Sequence, residues 1–369
     1  MPPPSFSDAR ARRLGLFTAL AAAFTAALCA AAPAAASGAN PPDYRVLHLL
    51  DDPAWLPTAY AMNERDQVVG MAYAADFSTI TGFRWTPARE RMDRVSDFPS
   101  GGDDGVELVA VNRQGLAVGH GTVNVGDHRG VLRALKMLPN GRRVALPHPG
   151  GAGQSSRAVA VNDDGVIIGH LYDDPWSKPV HAVRWTPDGQ VERLDMPADV
   201  LRINRRGDIA GVLNAPRKQY AFVQQPDGTR HRFDMVDVRQ LRDDGTAVGS
   251  AVAAGQGLHA ALWTLAGGVE LLPRPTHLPH FSCWANGMNS QRQVVGECAD
   301  DVKESRAVLW HEVNGQWTLV DLTWQVRGGL LTHGGRSAAL HITDAGHILV
   351  DTYVQGRGDT IAVLAPVQD

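Results

Sequence analysis

The chain has 369 residues, 44% of them hydrophobic and 20% charged, with a formal net charge of −4. That balance is enough for a packed core, and without a basic block it argues against nucleic acid as a partner. Beyond residue 36 no hydrophobic run approaches the roughly 20 residues of a membrane-spanning helix, so no membrane span is expected in the mature chain.

The first element is a targeting segment. Arg10, Arg12 and Arg13 precede the apolar stretch 14–32 and the small-residue run PAAAS (33–37). This order reads as a secretory signal peptide over 1–36, cut near Ala36, with a short linker over 37–43. A membrane anchor is the competing reading. The Ala-rich composition, the break at Pro33 and the A-x-A pattern favour removal. Leu28 before Cys29 disfavours a lipoprotein site. The chain is therefore expected to be exported, periplasmic or extracellular, and monomeric.

From residue 44 onward one pattern recurs. Roughly, an apolar residue, Asn, two variable residues, Gly and an apolar run ending in Val-Gly recur seven times with departures in single copies, at 61–70, 110–119, 160–169, 202–211, 240–249, 287–296 and 341–350. The equivalent turn positions are Asn63, Asn112, Asn162, Asn204, Arg242, Asn289 and Thr343, spaced 38 to 54 residues apart. That is the period of a propeller blade. In the third copy, RAVAVN (157–162) leads into the turn NDDG, and VIIGHLY (166–172) returns from it. HAVRWTP (181–187) and QVERLDM (190–196) follow across a second tight turn. Four antiparallel strands per copy predict an all-β, seven-bladed β-propeller over 44–369, in one domain.

The sixth copy carries Cys283 and Cys298, placed symmetrically about its turn. A two-residue hairpin would set them face to face; a three-residue turn would put them on opposite faces. Arg292 stands where other copies have Gly, which favours the shorter turn and a disulfide, as an oxidising compartment allows. The seventh copy has only three strands, at 337–342, 347–354 and 360–365. YRVLHLL (44–50) resembles a fourth strand, so the N-terminal strand is expected to complete the last blade and close the ring.

Side-chain columns agree with this arrangement. The residue before the turn is apolar in every copy, from Met62 to Ile342. Trp85, Trp185, Trp263 and Trp310 share one position on the third strand, suited to filling space between blades. Met137, Gln224 and Leu364 replace them elsewhere, and Gln224 has no evident reason.

The pattern G-x-N-x-x-G-x-x-V-G followed by H-A-x-x-W, present as HAVRW (181–185) and HAALW (259–263), resembles the HAF-repeat family of exported bacterial proteins. The resemblance covers nearly all of 57–369. It implies a secreted repeat protein of propeller type and carries over no catalytic residue. Arg242, Thr343 and the three missing tryptophans depart from it.

The chemistry is sparse. The Asp-Asp-Gly segments lack the oxygen spacing of a calcium loop and read as turn formers. No histidine stands in a zinc signature, and no metal or cofactor is expected. No G-x-S-x-G or sialidase Asp-box occurs, so no catalytic residue is assigned. His120, His170, Glu297 and Asp351 occupy one position after the Gly of the second strand; if these strands exit on one face, they form a polar ring, one able to capture a cation. A solvated strand end is the plainer reading. Trp176, His277, His280, Phe281, Trp324 and His333 lie on segments expected to form the long loops of that same face. Exposed aromatics there suit a sugar or a protein partner, while capping of blades is the plainer reading. Three functions follow: an envelope binding module for a protein or glycan ligand, a carbohydrate-active hydrolase or lyase with carboxylates near the channel, or a purely structural envelope protein.

Overall fold

A computed structural model describes residues 42–50, 52, 54–95, 104–173, 178–195, 199–215, 218–253, 257–275, 282–300, 304–331 and 335–367. Residues 1–41, which include the segment read from the sequence as a signal peptide, lie outside these residues. The strands form seven four-stranded antiparallel sheets. Blade 1 comprises Trp55–Met62, Val68–Ala74, Ile80–Trp85 and Met92–Val95. Blade 2 comprises Asp104–Val111, Ala117–Val125, His128–Met137 and Arg143–Ala145; blade 3, Ser155–Val161, Ile167–Tyr172, His181–Trp185 and Val191–Leu194. Blade 4 comprises Asp199–Ile203, Ile209–Ala215, Lys218–Gln224 and Arg230–Phe233; blade 5, Asp237–Leu241, Ala247–Ala253, Gly257–Thr264 and Gly268–Leu271. Blade 6 comprises Ser282–Met288, Val294–Ala299, Ser305–Val313 and Gln316–Asp321.

Blade 7 is assembled from both ends of the fold. Ser337–Ile342, Ile348–Val354 and Gly358–Pro366 take Tyr44–Leu50 as their fourth strand, with Tyr44 opposite Pro366 and Leu50 opposite Ile361. Asp43 ties this strand further, through an ion pair with Arg327 at 2.7 Å. Closure gives blade 7 the same four strands as the other blades.

Seven hydrophobic clusters sit at the seven junctions between neighbouring blades. The closing junction joins Leu349, Ile361 and Val363 of blade 7 to Met62, Phe83 and Trp85 of blade 1, with Leu50 among them. The third-strand tryptophans bridge blades as well as filling space. Trp185 Nε1 donates to the Pro147 carbonyl (2.7 Å) and Trp310 Nε1 to that of Pro273 (2.8 Å), each on the preceding blade's side. Gln224 has a local reason: its Oε1 accepts from Arg230 Nε (2.8 Å) directly across the sheet, and Arg230 lies over the Phe222 ring.

The repeated Asn is an inter-blade fastener. Its Oδ1 accepts backbone N–H groups of its own turn, as Asn112 does from Gln114 and Leu116. Its Nδ2 donates to the turn carbonyl of the next blade: Asn63 to Asn112, Asn112 to Asn162, Asn162 to Asn204, Asn204 to Arg242, and Asn289 to Thr343. The two exceptions are compensated. Arg242 Nη1 reaches the Met288 carbonyl (2.8 Å). Thr343 accepts within its turn but lacks an amide to donate, and Glu64 of blade 1 instead accepts the Asp344 N–H (2.8 Å). Asp163, Asp243 and Asp344 likewise accept N–H groups from the preceding turn, which gives the acidic turn residues a structural role.

The Val-Gly glycine has a steric cause. The first strand bulges in all seven blades, opposite this glycine in six of them and opposite Val350 in blade 7. A Cβ at Gly119 or Gly169 would overlap the carbonyl oxygen of Glu107 or Arg157. Bulges also explain Cys283 and Cys298, which stand opposite one another and form a disulfide. The route differs from the short-turn expectation. Arg292 adopts φ 59°, as glycines do in other copies, so the sixth turn is as long as the rest. The bulge between Ala285 and Gly287 then restores the register. Residues 120–130 are mostly strand, turning at Gly126–Asp127.

Candidate functional site

Each first strand runs along the channel axis and ends at its Asn turn. One face of the ring therefore carries these turns. The other carries the ends of the second strands, the links into the third strands and the links between blades. On the exit face, every residue eight positions after the turn lies at one register level. His120 pairs with Glu107, His170 with Arg157, Glu297 with Trp284 and Asp351 with Ala338. Met71, Val212 and Ser250 fill the level in blades 1, 4 and 5.

The channel is split in two at its waist. Ala61, Ala110, Ala160 and Gly287 leave room there, and Arg202, Gln240 and His341 take it up. Gln240 and His341 line the cavities on both sides. Gln240 Oε1 accepts the Met288 N–H (2.7 Å), and Arg202 donates to the Leu201 and Arg239 carbonyls. Burial pushes His341 down to about 4, so the plug holds a neutral imidazole, while Arg202 is lowered only to about 10 and stays charged.

On the turn side of the plug the space is about 210 Å³. Arg113 spans it, 3.4 Å from Asp163 and 3.6 Å from Asp344. On the exit side a funnel of about 680 Å³ opens. Tyr60, Glu107, His120, Arg157, His170 and Tyr172 form one side of its wall, and Arg202, Arg239, Asn286 and His341 contribute from the rest of the ring. This size and mixture suit a small-molecule or oligomer-end site.

The two exit histidines differ in what they can offer. His170 Nε2 accepts the Val200 N–H of blade 4 (3.0 Å), and Nδ1 lies 3.3 Å from the Tyr172 hydroxyl. The proton must then reside on Nδ1, and the ring is occupied in joining two blades. Burial and the Arg157 charge push it down to about 4. His120 is 7% exposed and is lowered to about 3 by the same causes. Its Nε2 lies 3.9 Å from Glu107 Oε1, and its buried Nδ1 has no hydrogen-bond partner among the described residues. Burial raises Glu107, which Arg157 partly offsets.

Glu297 and Asp351 share the register level but stand outside the funnel wall. Burial raises both; Asp351 reaches about 6, with Asp359 and Glu297 adding repulsion. Among the described residues no three His, Cys, Asp or Glu side chains gather as metal ligands. Trp324 lies in a short 3₁₀ turn, Leu322–Trp324, linking blades 6 and 7 on the exit side, 70% exposed. Trp176, His277, His280, Phe281 and His333 fall outside the described residues.

Sequence reasoning found the exit position but missed its partners. Glu107 and Arg157 lie five residues before their turns. Register arithmetic would have found them only with the bulge included, and no residue type announces the bulge. His341 and Arg202 could have been found, since they break a column of small residues.

No protein-family model matches the chain, and no curated protein matches it. Among solved structures it is similar to the virginiamycin B lyase of Staphylococcus aureus. A catalytically inactive form with quinupristin aligns with a TM-score of 0.52 at 11% identity, over 86% of this chain and 98% of that one. The selenomethionine-substituted lyase gives the same score and identity over 88% and 99%. The propeller domain of the Trilobed protease from Pyrococcus furiosus aligns at 0.48 and 10% identity, over 74% and 83%. At these identities the likeness shows the fold: the chain is a seven-bladed propeller.

Proposed function

We infer that the protein is an exported propeller of the HAF-repeat type whose exit face binds a ligand at the cell envelope, and that the ligand is a glycan whose end enters the funnel. The observation that carries this reading is the difference between the faces. Of the eight large apolar side chains exposed among the described residues, Tyr60, Phe77, Val180, Val252, Trp324 and Tyr353 lie in the funnel, at second-strand ends or on exit-side links. Leu265 belongs to a link on the turn side, and Leu271 ends the fourth strand of blade 5. Scattered exposed hydrophobics need no explanation, but a one-sided distribution around a concave opening does. A concave site favours the end of a glycan over a flat protein surface, and exposed aromatic rings suit sugar faces. No helix among the described residues is long and apolar enough to cross a membrane. Glycan-array binding without turnover supports this reading; binding only to envelope proteins would replace the glycan by a protein partner.

An enzymatic reading has one observation of its own. Glu107 and His120 pair within the funnel, and a carboxylate beside a neutral imidazole is an acid–base set. The lyase that shares the fold gives this reading a precedent by analogy alone. Release of reducing sugar or of an unsaturated product, abolished by Glu107→Gln, would establish it.

A further inference from the structure

Three copies break the column of small residues at the channel waist, and all three break it with polar side chains. Arg202, Gln240 and His341 stand where the other copies have Ala61, Ala110, Ala160 and Gly287. Apolar residues would fill the space as well. A guanidinium there loses hydration, and a charge in such a place is ordinarily met by an opposite one. Arg202 is met by dipoles instead. Its Nε and Nη1 donate to the Arg239 and Leu201 carbonyls, which satisfy two donors and leave the charge uncompensated.

The charged neighbours do not supply the difference. After burial, the group acting most on Arg202 is a second cation, Arg239; Asp237 acts in the opposite sense and no more strongly. Asp237 is already shared. Its Oδ2 accepts Arg239 Nε (2.9 Å), and its Oδ1 accepts both the N–H and the hydroxyl of Ser250 (2.7 Å each). Glu297 also feels Arg239, but it stands outside the funnel wall and burial raises it.

These groups are open to the funnel. Arg202, Arg239, Gln240 and His341 all line it, and none of the four is fully buried. The Arg239 side chain keeps 46% exposure while held by Asp237. Arg202 Nη2 and Gln240 Nε2 make no hydrogen bond among the described residues, and neither is sealed from solvent. A guanidinium fork matches an oxyanion in shape and charge, and a half-desolvated wall strengthens the attraction.

We propose that the floor of the funnel is a binding site for a small oxyanion, a carboxylate or a phosphate, received between the Arg202 and Arg239 guanidinia with the Gln240 amide as a neutral donor. The site stands or falls independently of the glycan reading. The test is titration calorimetry of the purified protein with sodium phosphate and with sodium acetate at constant ionic strength. At least one anion should bind saturably in the millimolar range or tighter, one per chain. Phosphate alone assigns a free inorganic ion; acetate, with or without phosphate, assigns the acid group of an organic ligand. Arg202→Met should weaken binding about tenfold or more, and Arg202→Lys should recover part of the loss. Arg113→Ser, on the other side of the plug, should leave binding unchanged, which separates the site from a general response to salt. Thermal melting reports whether each variant is folded. Should Arg202→Met fail to fold, Arg239→Met, at an exposed side chain, takes its place with the same expected loss. No saturable binding of either anion to the unaltered protein, or binding that a folded Arg202→Met or Arg239→Met variant retains in full, overturns the proposal.

Discussion

The two faces of the ring are made by the same seven copies and have opposite characters. On the turn face the copies agree: Asn binds its own turn and the next, acidic neighbours repeat the link, and Arg113 crosses the remaining opening. On the exit face they disagree: the same register level holds Met, His, His, Val, Ser, Glu and Asp in blade order. Agreement marks what every junction needs to close. Disagreement leaves side chains available for something outside the fold. The repeated residues should therefore govern stability, and the variable ones binding.

The largest effect is expected from a repeated residue. Gly119→Val drives a side chain into the Glu107 carbonyl at the bulge and should cost several kcal/mol, on the order of 3 or more, or prevent folding. A melting temperature near that of the parent would remove the steric account of the repeated glycine. Next comes Asn162→Ala. It strips the Val166 N–H and the Asn204 carbonyl of their partner and should cost about 1–3 kcal/mol. Urea unfolding checks it, and a cost below about 0.5 kcal/mol would reduce the fastener to decoration.

Acid should sharpen the contrast from the other side of the plug. His120, His170 and His341 have folded values of about 3, 4 and 4, below the ordinary 6.5. The unfolded chain then binds protons that the folded one refuses. Their contribution is fully present above about pH 6.5 and is lost as pH falls through the folded values. Each should remove about 1 kcal/mol per pH unit between pH 6 and 4. Melting curves across that range should show the decline, and the double variant His120→Phe with His341→Gln should flatten it. A stability independent of pH there would mean that these rings are not buried neutral.

Much of the fold is legible in the chain because period-two alternation and turn chemistry are local. The 44–50 strand could be placed because blade 7 lacks a fourth strand and strand 44–50 has no blade of its own. The bulge was not legible: an extra residue in a strand has no composition of its own, and only its steric shadow, the Gly opposite, repeats. That omission misassigned the turn type at Arg292 and hid Glu107 and Arg157 as partners of the exit histidines. Nor could the sequence separate His120 from His170. Their positions are identical, and only the Val200 N–H and Tyr172 hydroxyl, both supplied by the surroundings, make one structural and leave the other with an open lone pair.

The smallest effect on stability should come from the exit rim. Replacing exposed Phe77, Val252 and Tyr353 by Ser should shift unfolding by about 0.5 kcal/mol or less per site. The same change should abolish ligand capture. The most direct measurement is therefore glycan-array binding of this rim variant beside a turn-face variant in which exposed Arg113, Gln114 and Arg205 become Ser. The account predicts that the rim variant loses the signal while the turn-face variant keeps it. Retention by the rim variant with loss on the turn face would contradict it.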